Sequence, residues 1–146
     1  MKQKGTYYVP TLSAGKFVAE QAKVPGYYHP LVVPKAAAIG PQIQETYTKA
    51  YKRGVKIAFG TDAGVFFHGD NGKEFALLVE GGMSPMEAIK TATSVNAGIL
   101  NMTDKIGTLE PGKLADIVAT DENPLQNIRT LENVTFVMKE GVVYKQ

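Results

Sequence analysis

The sequence predicts an α/β fold that gives way to antiparallel β structure near its end. Three observations carry that prediction: a helical period followed by glycine and a compact apolar run over 35–59, a complete helix-start signature at Ser84–Glu87, and strand–turn–strand patterns after Asp104. Residues 1–104 and 105–146 are accordingly expected to form parts of two different domains.

Thr6-Tyr7-Tyr8-Val9-Pro10-Thr11-Leu12 is rich in β-branched and aromatic residues and reads as a short buried strand, with its proline tolerable only near an end. From Ser13 to Pro34 the signals mix: a helical turn or two around Lys16–Ala22, then Pro25-Gly26 and further prolines that forbid a long helix. Between Lys35 and Arg53 the residues Ala38, Ile43, Tyr47, Ala50 and Tyr51 recur at helical spacing, and Gly54 stands where a helix C-cap belongs. Val55–Phe59, closed by Gly60, has the pattern of a strand covered on both faces in a parallel sheet. Strand, helix and strand make a βαβ unit.

A glycine-rich loop spans Gly60–Gly72, and Glu74–Glu80 is helical. Ser84 supplies an N-cap, Pro85 the first helical position and Glu87 the partner of a capping box. Ala88, Ile89, Ala92, Val95, Ile99 and Leu100 keep a helical period from there to the neighbourhood of Met102. Beyond Asp104 the expected strands are Ile106–Leu109, Leu114–Ala119, Val134–Lys139 and Val142–Tyr144, with turns at Glu110-Pro111-Gly112 and Glu140-Gly141.

Composition excludes several functions. The 16 Lys and Arg against 14 Asp and Glu leave a formal charge of +2 with no block of like charges, so nothing asks for nucleic acid. No apolar run approaches the roughly 20 residues of a membrane-spanning helix, and Met1-Lys2-Gln3-Lys4 is not followed by a signal-peptide core. The expectation is a soluble protein, cytoplasmic by default. With 0 cysteines there are no disulfides, thiolate metal sites or cysteine nucleophiles. The Gly60–Gly72 loop has neither a Gly-Lys-Ser/Thr ending nor a Gly-x-Gly-x-x-Gly spacing, which argues against phosphate binding.

Asp62, in Gly60-Thr61-Asp62-Ala63-Gly64, should project from the C-terminal end of the second strand, the end at which α/β barrels carry their catalytic groups. Its small neighbours allow close approach, and a carboxylate there can bind a cation or accept a proton from water. Alone, it could equally cap the next turn, with the glycines serving only that geometry.

Gly54-Val55 through Gly60-Thr61-Asp62-Ala63-Gly64, Ser84-Pro85-Met86-Glu87-Ala88, Thr91-Ala92-Thr93 with Asn96-Ala97, and Gly107-Thr108-Leu109-Glu110-Pro111-Gly112-Lys113-Leu114-Ala115-Asp116 together resemble the closing third of amidohydrolase-superfamily enzymes. His68-Gly69-Asp70-Asn71 is similar to the imidazolonepropionase-like branch, which includes Xaa-Pro dipeptidases. The resemblance implies that Thr6–Leu12 and Val55–Phe59 are strands seven and eight of a metal-dependent hydrolase (β/α)8 barrel. Residues after Asp104 then return to a small β-sandwich.

The same resemblance makes Asp62 both catalytic and a metal ligand. It would take a proton from the hydrolytic water and pass it to the leaving amine. The implied cofactor is a divalent metal, usually zinc, whose bound water has its pKa lowered toward about 7. The family's other ligands, a His-x-His pair, a lysine or glutamate and two further histidines, have no counterpart here: the 2 histidines are His29 and His68, and neither stands at a ligand position. The chain alone is therefore expected to bind no catalytic metal and to hydrolyse nothing. His68, six residues past Asp62, is a candidate substrate contact or a plain loop residue. His29, in Gly26-Tyr27-Tyr28-His29-Pro30, lies in the long loop after the first strand, which in barrels can cover the active site, and its tyrosines are expected to be packing. Lys113 and Asp116 are expected to be structural.

The implied activity is C–N bond hydrolysis on a small-molecule or dipeptide-like substrate by the complete enzyme, and the alternative is a noncatalytic interaction module derived from an amidohydrolase. Two strands of a barrel leave both edges open, so a homo-oligomer or an upstream complementing chain is the expected partner.

Overall fold

The computed structural model describes all 146 residues. Strand β1 (Tyr7–Tyr8) pairs in parallel with β2 (Lys56–Ile57), Tyr7 opposite Lys56 and Tyr8 opposite Ile57, and Ala58 N–H extends the ladder to the Tyr8 carbonyl at 3.0 Å. Two helices lie between the strands, α1 (Leu12–Gln21) and α2 (Val33–Lys52), so the βαβ connection read from the sequence is present. Both strands are shorter than the apolar runs that announced them. Pro10 offers no N–H to a ladder, and Thr11 at φ 47 turns the chain directly into α1. Nor is β2 covered on both faces. Ile57 is buried, but Lys56 is exposed and holds its ammonium 5.2 Å from the centre of the Tyr7 ring.

The helical turn or two expected near Lys16–Ala22 is a ten-residue helix that starts at Leu12. Its first N–H groups would be orphans without a cap, and no neighbour in sequence caps them. The buried carboxylate of Glu74 does so instead, accepting from Leu12 N–H at 2.9 Å, Ser13 N–H at 2.7 Å and the Ser13 hydroxyl at 2.7 Å. Helices α1 and α2 then meet with almost no side chain between them: a Cβ on Gly40 would stand 2.9 Å from the Ala19 Cβ and 3.0 Å from the Gly15 carbonyl oxygen.

Helix α2 begins with Pro34 in its first turn, where the missing N–H costs nothing, and runs through Pro41 on its exposed side. Its core-facing residues are Ala36, Ile43 and Tyr47. Ala38, placed on that face by the sequence pattern, is exposed, because it lies about 200° round the helix from Ala36. Tyr47 is 0% exposed, satisfies its hydroxyl on the Leu78 carbonyl at 2.8 Å, and centres a core of Leu12, Ile57, Leu77, Leu78, Met83 and Ala88.

Helix α3 (Lys73–Glu80) leads to α4 (Pro85–Lys90), whose capping box forms as expected: Ser84 Oγ accepts from Glu87 N–H, and Glu87 accepts from Ser84 N–H at 3.1 Å. The helical path continues past α4 through a π turn at Thr91–Val95 into α5 (Asn96–Ile99). The apolar period foresaw the continuation, not the π turn.

Beyond α5, β3 (Ile117–Ala119), β4 (Phe136–Lys139) and β5 (Val142–Lys145) form an antiparallel sheet in sequence order. Ile106–Leu109 is not a strand. Gly107, at φ 95, packs so tightly that a Cβ would lie 2.7 Å from the Ala97 Cβ, and the segment closes as a loop through Leu114 N–H to the Lys105 carbonyl at 2.9 Å. The Glu140-Gly141 hairpin is present with both residues at positive φ, 51 and 82, the two-residue geometry that matches strand twist. Asp116 steadies it by accepting from Glu140 N–H at 2.8 Å and from the Lys139 ammonium at 2.9 Å, and these donors hold its carboxyl below the usual aspartate range. The structural roles read for Asp116 and for Lys113, which pairs with Glu110 at 3.0 Å, are those observed. No helix is long and apolar enough to cross a membrane.

Candidate active site

Parallel strands send their C-terminal ends the same way, so the loops after β1 and β2 emerge side by side. The first enters α1 at once. The second, Gly60–Gly72, has no room for a side chain at its root: a Cβ on Gly60 would lie 2.5 Å from Val9 Cγ1. Asp62 follows just past the last ladder bond, at φ 55, a left-handed conformation that aspartate tolerates better than most residues. Its carbonyl accepts from Val65 N–H at 3.2 Å, while Gly64 N–H donates to the Phe66 carbonyl at 3.0 Å, so the residue sits on a tight backbone turn. The Asp62 carboxylate is exposed and makes neither a hydrogen bond nor an ion pair within the chain. Its carbonyl, not its side chain, closes the turn, contrary to the capping role left open from sequence.

Two asparagines hold the backbone around it. Asn71 Nδ2 donates to Thr61 Oγ1 at 2.9 Å, and Asn71 Oδ1 accepts from Gly69 N–H at 3.2 Å, which ties the far end of the loop to the residue before Asp62. From α5, Asn96 Nδ2 donates to the Phe59 carbonyl at 3.0 Å. Phe59 also packs on Phe75 with ring centres 4.4 Å apart. Sequence motifs contained both asparagines without disclosing these contacts, since each reaches a residue distant along the chain.

His68 is exposed in the same loop, beside Phe67, whose ring meets that of Phe17 edge-on at 6.1 Å. No hydrogen bond joins His68 to Asp62. His29 accepts from Leu31 N–H at 3.3 Å within its own turn, and Tyr27 and Tyr28 stack edge-on beside it at 4.8 Å.

A catalytic zinc takes three protein ligands. No three His, Cys, Asp or Glu side chains converge on one point in this chain, so its residues do not by themselves fit such a metal. A fully buried carboxyl lies elsewhere, at Glu74. Burial pushes Glu74 above its ordinary value of 4.5, and its three donors from Leu12 and Ser13 oppose the rise. Burial likewise raises Tyr8, with the Glu74 charge adding to the effect.

Of the 7 surface clefts, two border the helices that flank the site. One of about 210 Å³ lies between α1 and α3 and is lined by paired charges, among them Asp70 with Lys73 and Arg129 with Glu132. A larger apolar groove of about 730 Å³, lined by Phe59, Phe75, Leu100, Leu114, Val118 and Leu131, separates the helical part from the three-stranded sheet. Asp62 and His68 line neither.

Comparison with known proteins places this arrangement. The model of the amidohydrolase family matches residues 1–144. Ochratoxinase of Aspergillus niger is 36% identical over 156 residues, covering 99% of this chain and 30% of that protein. Among solved structures, a Xaa-Pro dipeptidase with methionine bound in its active site is 54% identical with a TM-score of 0.93, covering 100% of this chain and 36% of that one. A prolidase complexed with N-methylphosphonate-L-proline is 30% identical with a TM-score of 0.83, again over 100% of this chain and 36% of the other. The chain thus spans about a third of the length of the relatives it matches. With its α/β fold matched across nearly every residue, the chain belongs to the amidohydrolase family.

Proposed function

We propose that this chain supplies the Asp62-bearing part of the catalytic centre of a metal-dependent amidohydrolase that cleaves C–N bonds in dipeptide-like substrates, Xaa-Pro dipeptides above all. One observation carries the reading: an exposed carboxylate without a partner, on a braced turn at the C-terminal end of a parallel strand. Support comes from the proline- and dipeptide-directed relatives, which share the fold over the whole chain. In this reading residues 1–104 are the closing part of a barrel, and 105–146 are strands of the accompanying sandwich.

Asp62 accepts a proton from the attacking water and later delivers it to the leaving amine, a role worth roughly 10²–10⁴ in rate. Members of the family generally use divalent metals. The ligands that would hold one come from polypeptide outside these residues, an upstream complementing segment. His68 lies within reach of the same mouth as a contact for substrate.

The test is a hybrid in which residues 1–146 replace the matching 36% of the Xaa-Pro dipeptidase. It should hydrolyse Xaa-Pro dipeptides, and Asp62→Asn should reduce kcat by roughly 10²–10⁴. The purified chain alone should be inactive with any divalent metal, and metal-stimulated dipeptidase activity of that chain would overturn the proposal. A folded, metal-loaded but inactive hybrid would replace it with a noncatalytic interaction module.

A further inference from the structure

The geometry points to Asn96 as a positioning residue that sets the direction of the Asp62 carboxylate through the Phe59 peptide. This inference rests on the role proposed for Asp62.

Asn96 opens α5 immediately after the π turn Thr91–Val95. A π turn inserts one residue into a helix and rotates everything after it relative to the preceding face. Here the rotation delivers a half-buried side-chain amide to the end of β2, 37 residues earlier in the chain, where its N–H meets the Phe59 carbonyl at 3.0 Å. That carbonyl lies past the last ladder bond, so without Asn96 it would have no strand to bind. The π turn is itself held from outside: Gly107 packs against it, so that a Cβ there would stand 3.1 Å from the Thr93 carbonyl oxygen and 2.7 Å from the Ala97 Cβ.

The consequence is a division of labour around Asp62. Asn71 restrains the turn from the far side through Thr61 Oγ1. Asn96 restrains it at the strand, at the last peptide before Gly60, whose freedom of rotation would otherwise let the turn swing. With no side-chain partner in the chain, the Asp62 carboxylate is placed only through the position of its backbone, and a shift of about 1 Å in a reacting group can cost on the order of 10²-fold in rate.

The test has two arms. In the chain itself, hydrogen exchange is followed at Gly64 and Val65, whose N–H groups close the Asp62 turn, and at the amides of α3 as an internal reference. Asn96→Ala should speed exchange at Gly64 and Val65 by about 10-fold while α3 is unchanged. Uniform acceleration, or none at the turn, would overturn the inference. In the hybrid dipeptidase, Asn96→Ala and the isosteric Asn96→Asp should each lower kcat by about 10–100-fold with KM little changed. Unchanged kcat in an active hybrid overturns the positioning role alone. An inactive parent hybrid refutes the proposed function instead, and the exchange arm then decides whether Asn96 governs the turn.

Discussion

Ser13 gives both its backbone N–H and its hydroxyl to a single oxygen of Glu74, Oε2, each at 2.7 Å. A helix start is thereby capped by a fully buried carboxylate from another helix. Glu74→Gln replaces one acceptor oxygen by an NH2 that faces donors, and should cost about 1–3 kcal/mol, measured as a lower urea midpoint. Ser13→Ala, which removes one of three bonds, should cost about 1 kcal/mol.

The same carboxyl links stability to pH. Its folded pKa is raised above 4.5, so the native state holds the proton more tightly than the unfolded chain does. Stability from this group is present at low pH and declines as pH climbs from 4.5 through the folded value. Urea titrations at stepped pH should show that decline in the parent and not in Glu74→Gln.

Glu87 has the opposite sign. Donors from Ser84, and the Tyr51 hydroxyl at 3.0 Å, hold its carboxyl below 4.5, so its contribution is present above that value and lost as pH falls through the folded one. Calorimetry should show Ser84→Ala lowering stability by about 1 kcal/mol at neutral pH, with the deficit shrinking in acid.

Gly72 stands where no side chain fits: a Cβ would come within 2.2 Å of the Leu131 carbonyl oxygen, which is backbone and cannot step aside. Gly72→Ala should therefore destabilise by about 1–3 kcal/mol in thermal unfolding. Gly26→Ala, at φ 78 with no atom within 4 Å of its Cβ, separates this clash from backbone strain and should cost less.

Asp62→Asn should leave the stability of the chain within about 0.5 kcal/mol of the parent, because the carboxylate is exposed and unpaired and asparagine also accepts a left-handed backbone. A large drop in melting temperature would show that Asp62 serves the fold.

What the sequence disclosed and what it hid divide along contact range. The capping box at Ser84 and Glu87, the Glu140-Gly141 hairpin and the helix before Gly54 are written in residues a few positions apart, and all are present. The place of Asp62 after β2 was legible for the same reason. The early start of α1 was not, because its cap comes from Glu74, 62 positions beyond Leu12. Ile106–Leu109 has a strand's composition but is bent by Gly107 against the π turn, a contact that no local pattern encodes. The Asn96 contact to Phe59 is likewise a matter of tertiary placement.

The cap that crosses from α3 to α1 also orders events in time. The Leu12 and Ser13 N–H groups have only water to bind until α3 has docked, so this cap is absent from any form of α1 that precedes the contact. Ser13→Ala should therefore speed unfolding while leaving the refolding rate near that of the parent, the kinetic mark of a contact that closes a long loop late.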